Sequence, residues 1–96
     1  MELPLVARAV KMAQYPGLKK GHVISAVKDD GAFVYLEDGA CFKIYSGFYD
    51  LSRRWEAGHK LFMKPNPRNP EHPYKLISVH FNEQVEAAWI EGADKQ

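Results

Sequence analysis

Short runs in which apolar and polar side chains alternate dominate this chain, and turn-forming residues separate them. The alternation has the period of a β-strand, in which successive side chains point to opposite faces of a sheet. Three segments alternate clearly: 22–28, 59–64 and 84–90. Three others are denser in apolar residues: 33–37, 40–44 and 74–81. Asp-Gly pairs at two of the breaks favour tight turns, so residues 22–45 are predicted to form a three-stranded meander.

The turn at Asp38-Gly39 sets the predicted register of the central hairpin, because a two-residue loop needs positive φ angles that this pair adopts at little cost. That loop pairs Glu37 with Ala40, Leu36 with Cys41, Tyr35 with Phe42 and Phe33 with Ile44. In this register one face carries four large side chains: Phe33, Tyr35, Phe42 and Ile44. The opposite face is also largely apolar, which favours a strongly curled sheet or a small barrel over a flat sheet.

Two segments are predicted to be helical. In residues 1–15 polar side chains recur at every third position, which indicates a mostly buried helix that Pro16-Gly17 ends; a strand over part of this segment is the alternative. A shorter helical turn is predicted over residues 50–56, with Asp50 as its N-cap and Gly58 just after its end.

These elements predict a mainly β fold: a five- or six-stranded, strongly bent antiparallel sheet or small barrel of the OB or SH3 type, with an N-terminal helix. The length of 96 residues indicates one domain, which we place at residues 1–90, followed by a flexible, solvated tail over residues 91–96. Four prolines within residues 65–73 predict an extended loop between two of the strands.

Composition and charge restrict the function further. The net charge of +1 gives no overall attraction to nucleic acid or to an anionic membrane, so such binding needs a local patch. Cys41 is the single cysteine, which excludes an internal disulfide and a cysteine-clustered zinc site. No apolar run reaches the roughly 18 residues of a membrane-spanning helix. Residues 1–18 lack a secretory signal pattern, which predicts a cytoplasmic protein unless a signal has been removed.

No residue pattern points to catalysis or to a bound cofactor. None of the histidines pairs with another at metal-ligand spacing: His22, His59, His72 and His80. No nucleophile elbow or glycine-rich loop accompanies them. The sequence therefore predicts a non-enzymatic binding module that holds neither metal nor cofactor.

Arginines and aromatic residues are interleaved in the loop at 46–58, and prolines lower the entropy cost of an exposed extended loop at 65–73; both features favour recognition of a protein partner. We predict that an unidentified protein binds the loops at 46–58 and 65–73 and the strand that joins them, through Tyr49, Arg53, Arg54, Trp55, Lys60, Arg68 and His72. The competing interpretation is a solvated charged face that keeps the domain soluble.

The alternative partner is single-stranded nucleic acid. OB-type domains stack bases on aromatic rings of their strands and hold the phosphates with Lys or Arg. The residues that fit this pattern are Lys28, Phe33, Tyr35, Phe42 and Lys43. The competing interpretation places these rings in the core of a barrel, where strand aromatics are commonly found.

Several motifs follow one another through roughly residues 33–88: Leu36-Glu37-Asp38-Gly39, Phe42-Lys43-Ile44, Asp50, Trp55-x-x-Gly58, Tyr74-x-Leu76-Ile77 and Val85-x-Ala87. Their order resembles a family of small bacterial β-rich proteins without an assigned function, which implies a β domain and no particular chemistry. Gly21-x-Val23, Gly31-Ala32-Phe33-Val34-x-Leu36 and Gly58 show a weaker resemblance to the OB-fold repeats of a large bacterial ribosomal protein, which implies RNA binding.

Overall fold

A computed structural model describes residues 15–91, which form a closed barrel of six antiparallel strands. The strands are β1 (His22–Lys28), β2 (Phe33–Leu36), β3 (Cys41–Ile44), β4 (Lys60–Pro65), β5 (Tyr74–Ser78) and β6 (Glu83–Trp89). A single 3-10 turn (Ser46–Phe48) leads into the short helix α1 (Tyr49–Ser52) between β3 and β4. The prediction of a mainly β, barrel-like fold is confirmed. Apart from Tyr15, the predicted N-terminal helix lies outside the described residues, as does the predicted tail beyond Glu91.

The strands follow the order β1-β2-β3-β6-β5-β4 around the barrel, and β4 returns to lie beside β1. Two meanders, β1–β3 and β4–β6, are therefore joined so that the fourth strand neighbours the first, which is the Greek-key arrangement. The junction between β1 and β4 is short, with two residue pairs: His22 with Leu61 and Val23 with Lys60. Six strands close this barrel, whereas an OB barrel has five.

The register predicted for the central hairpin is wrong by one residue. The observed pairs are Phe33 with Lys43, Val34 with Phe42 and Tyr35 with Cys41. The loop has three residues instead of two, because the Leu36 amide donates to the Ala40 carbonyl at 2.9 Å. Gly39 ends the loop at a φ of 96°, the left-handed geometry typical of three-residue hairpins. Asp38 holds it closed by accepting the Ala40 amide at 2.9 Å.

This one-residue shift reverses the face of one strand relative to the other. Val34 and Phe42 point into the barrel and are fully buried, whereas Phe33 and Tyr35 point outward and are half-buried. The predicted face that combined all three rings does not exist. Only Phe42 belongs to the core.

A β-bulge at Ser25 interrupts the alternation of β1. The pairing with β2 shifts between Ile24 and Ala26, which leaves Ser25 as the extra residue. As a result Ile24 is buried, and Val27, three positions later, also packs against the core. A strict period of two would have put these side chains on opposite faces, so the bulge lets β1 contribute both to the interior.

Tyr15 closes one end of the barrel. Its ring makes edge contacts with Phe42, Tyr74 and Trp89 at centroid distances of 5.1, 6.5 and 5.3 Å. Its amide donates to the Tyr74 hydroxyl at 2.5 Å, and its own hydroxyl donates to the Asp38 carboxylate. The aromatic cluster caps the core with its polar atoms satisfied, as buried tyrosines require.

Three local predictions need correction. Asp50 is not the N-cap of α1, because it lies within the first turn of the helix. The N-cap is Phe48, whose side chain makes no capping hydrogen bond. The predicted strand 74–81 ends at Ser78, because Asn82 has a φ of 55° and its amide donates back to the Ser78 carbonyl.

The proline-rich loop is folded, not extended. Asn66 is 2% exposed and binds the main chain of His72 and Pro73, which holds the loop in successive turns.

Candidate functional site

The outer surface of the first meander carries a row of side chains across three strands. Lys28 of β1 lies opposite Phe33 of β2, and Phe33 lies opposite Lys43 of β3. Tyr35 lies two residues further along β2 on the same face, since side chains alternate. Together with Tyr49 of α1, we call these residues the lysine–aromatic face: Lys28, Phe33, Tyr35, Lys43 and Tyr49.

Each ammonium group of this face lies over an aromatic ring. Lys28 Nζ is 5.0 Å from the centroid of Tyr35. Lys43 Nζ is 5.7 Å from the centroid of Phe33 and 5.1 Å from that of Tyr49, and it donates to the Tyr49 hydroxyl at 2.5 Å. These distances are within the range of cation–π attraction. The contacts order both lysines while Phe33 and Tyr35 stay half-exposed, so the face offers cations and ring surface together.

Four of the five residues predicted for nucleic acid lie on this face, and Phe42 does not. Its side chain is 0% exposed, so it cannot stack against a ligand. Cys41, beneath the face, is equally inaccessible. Burial is the largest cause that raises the pKa of its thiol, and hydrogen bonding to Tyr35 and the charge of Lys28 lower it only in part. The thiol therefore stays protonated at neutral pH, as expected of a buried cysteine.

In the predicted partner loop at 46–58, the arginines and Trp55 contact other residues of this domain. Trp55 is 2% exposed and belongs to the core. Its indole nitrogen donates to Glu83 at 2.9 Å, and Arg54 makes two hydrogen bonds of 3.0 and 3.1 Å to the same carboxylate. Arg53 lies within 4.0 Å of Asp30 and 3.7 Å of Asp50, in ion pairs that are exposed. The sequence predicted only a turn at Glu83. No local sequence pattern relates Glu83 to Trp55, which lies 28 residues earlier, so this contact was not predicted.

Tyr45, which directly precedes the predicted 46–58 loop, contacts side chains of both predicted partner loops. The rings of Tyr45 and His72 lie 4.7 Å apart, and Phe48 is 6.1 Å from Tyr45. Asn69 fastens the proline-rich loop to β6 by donating to Glu86 at 2.8 Å. We call Tyr45, Phe48 and His72 the loop junction. Tyr45 was not predicted as a contact residue, although it is one of the few large aromatic side chains that are exposed.

The remaining predicted contact residues, Lys60 and Arg68, are exposed. Arg68 is in the proline-rich loop and has no side-chain partner within residues 15–91. Lys60 lines a groove of about 430 Å³ above the short β1–β4 junction. This seam groove is lined by Gly21, His22, Val23, Glu37, Asp38, Lys60, Leu61 and Phe62.

Within residues 15–91, no three His, Cys, Asp or Glu side chains come together as a metal site would require. None of the helices in that range is long and apolar enough to cross a membrane. Comparisons with protein-family models, with curated proteins and with solved structures found no match for this chain.

Proposed function

We propose that this domain is a non-enzymatic binding module and that its lysine–aromatic face binds single-stranded nucleic acid. The supporting observation is the position of Phe33, an outward ring with a lysine directly opposite it on each neighbouring strand. A base stacked on Phe33 would place its flanking phosphates within reach of Lys28 and Lys43. The predicted protein-binding loops, by contrast, use Arg54 and Trp55 internally.

The chemistry of this face suits ligands of any sequence. Every base has a π-face, and stacking on an aromatic side chain contributes about 1–3 kcal/mol per base. Ammonium groups bind phosphate as point charges without reading base edges. The weaker likeness to RNA-binding OB-fold repeats agrees with this use of a barrel surface, and membership of the small bacterial β-rich family stays a prediction.

The test is fluorescence anisotropy with a labelled oligothymidylate of about 12 nucleotides, a length suited to a single domain. Phe33→Ala should weaken binding by about 1–3 kcal/mol. Phe62→Ala is the matched control, because Phe62 is an exposed phenylalanine outside this face. Two lysine–phosphate contacts predict an affinity about sevenfold lower at 200 mM than at 50 mM salt. No binding at low salt, or an equal loss in both variants, would contradict the proposal.

A protein partner is the second candidate, and the loop junction is the observation that favours it. Tyr45 is 43% exposed and contacts both Phe48 of the 46–58 loop and His72 of the proline-rich loop, so the three rings form one aromatic surface. Aromatic residues are enriched in protein–protein interfaces. In a pull-down from cells that produce the protein, Tyr45→Ser should lose a partner that Val79→Ser retains, because Val79 is an exposed apolar residue that belongs to neither the loop junction nor the seam groove. Recovery of the same partners by both variants would contradict this candidate.

A further inference from the structure

The seam groove forms because small residues lie between larger ones on the outside of the barrel. Val23 pairs with Lys60 on one side, and its carbonyl accepts the Glu37 amide at 2.9 Å on the other. Gly21 shares the outward face with Val23, two residues away. The floor is thus a glycine and a valine, and the walls are the Glu37-Asp38 turn and β4. The seam groove therefore results from the way in which β1 aligns with β2 and β4.

The two walls differ in charge. Glu37 is exposed, and its carboxylate has no partner within residues 15–91. Asp38 is already engaged, because its oxygens accept bonds from Tyr15 and Ala40. On the opposite wall Lys60 is the only lysine or arginine among the groove residues. Glu37 is therefore the acceptor that a ligand meets first, and Lys60 directs a positive group toward it.

The groove also offers apolar surface. Phe62 is 52% exposed, and its ring covers Gly21: a methyl group placed on Gly21 would lie 2.9 Å from Cε1 of Phe62. Next to Gly21, His22 Nε2 donates to the Gly17 carbonyl at 2.8 Å. A preformed apolar trough next to an unpaired carboxylate is typical of a site that holds one or two side chains.

We propose that the seam groove binds an extended segment of a protein partner in which an arginine or lysine lies next to an aliphatic residue. The cation pairs with Glu37, and the aliphatic side chain packs between Phe62 and Val23. The volume of about 430 Å³ matches a pair of side chains and is too small for a whole helix. This site is separate from the lysine–aromatic face, whose positive charge would repel such a segment.

The test is a ¹⁵N NMR titration of the full chain with the peptide acetyl-Gly-Leu-Arg-Leu-Gly-amide. The expected result is amide shift changes at Gly21, Val23 and Glu37 that saturate with peptide. The same peptide with glutamate in place of arginine should bind more weakly. Changes confined to other residues, or equal affinity for the two peptides, would overturn the proposal.

Two variants and a control sharpen this result. Glu37→Gln should weaken binding of the arginine peptide by about two- to fivefold, the effect of an exposed ion pair. Glu71→Gln, which removes an exposed carboxylate from the proline-rich loop, should leave it unchanged. Gly21→Ala should displace the ring of Phe62 and reduce binding of both peptides, with the rest of the spectrum retained. Full affinity in Glu37→Gln, or an equal loss in Glu71→Gln, would also overturn the proposal.

Discussion

The hydroxyl of Tyr15 donates a hydrogen bond to the carboxylate of Asp38, 23 residues further along the chain. This bond ties the segment before β1 to the loop between β2 and β3, at the end of the barrel that the Tyr15 ring closes. It also makes the phenol hard to ionise. Burial first, and then the Asp38 bond and charge, raise the pKa of Tyr15 above its ordinary value of 10.0, and burial raises the pKa of Tyr74 as well.

We predict that the fold loses stability in alkali. In the unfolded chain these phenols ionise near the ordinary pKa of 10.0, whereas in the folded chain they stay protonated to higher pH. Stability is therefore fully present below about pH 10 and falls as pH rises through the raised pKa values, because the unfolded state releases protons first. Denaturant unfolding between about pH 8 and pH 11 measures this dependence.

Tyr15→Phe removes one of the buried phenols whose pKa is raised and serves as the comparison. It should lose about 1 kcal/mol at neutral pH with its hydrogen bond, and its stability should fall less steeply in alkali than that of the wild type. Parallel pH profiles for the two proteins would show that Tyr15 is not the titrating group.

The hairpin register predicts that two phenylalanines respond very differently to truncation. Phe42 is fully buried, so Phe42→Ala should cost about 3–5 kcal/mol through the cavity it leaves. Phe33 is half-buried on the outside, and Phe33→Ala should cost clearly less. Urea unfolding monitored by circular dichroism compares the stability of the two variants. If Phe42→Ala alone fails to fold, the ranking of the two is the same. Similar losses in both would contradict the register.

Gly31 is predicted to tolerate no side chain. Its φ is 97°, and a Cβ there would lie 2.6 Å from the backbone nitrogen of Arg53. Gly58 has a similar φ of 94°, but a Cβ added there would have no heavy atom within 4 Å. Gly58 is therefore a matched control. Gly58→Ala should cost about 1–2 kcal/mol, the penalty for a left-handed alanine, and Gly31→Ala substantially more. Equal thermal midpoints for the two variants would contradict close packing of α1 on the β1–β2 loop.

Cys41 should react slowly with thiol reagents in the folded protein. The side chain is 1% exposed, and burial raises the pKa of its thiol, so little thiolate is present or accessible near pH 8. Tyr35 lies opposite Cys41 on the neighbouring strand. Tyr35→Ala should therefore speed labelling by a disulfide reagent, whereas Phe62→Ala should not. Rapid labelling of the wild type without denaturant would contradict the burial of Cys41.

The candidate site was only partly predictable. Lys28, Phe33 and Tyr35 were predicted to lie together, but the two-residue loop assumed at Asp38-Gly39 put Phe42 beside them and Lys43 on the opposite face. The hydrogen bond from the buried Trp55 to Glu83 and the ring contact of Tyr45 with His72 each join residues that are far apart in sequence. No periodic pattern within a single segment carries such information, so these contacts were missed.

The sequence by itself determined approximately where the strands lie and, in the strands without a bulge, which side chains share a face. Both follow from the pleated backbone, whose period of two is visible in any short segment. Only the tertiary structure decided how the strands align. The bulge at Ser25 and the closure of β4 on β1 depend on pairing between separate strands, and the loop length at Asp38 depends on the hydrogen bond from the Ala40 amide to its carboxylate. A shift of one residue at any of them exchanges the inside of the barrel for its surface.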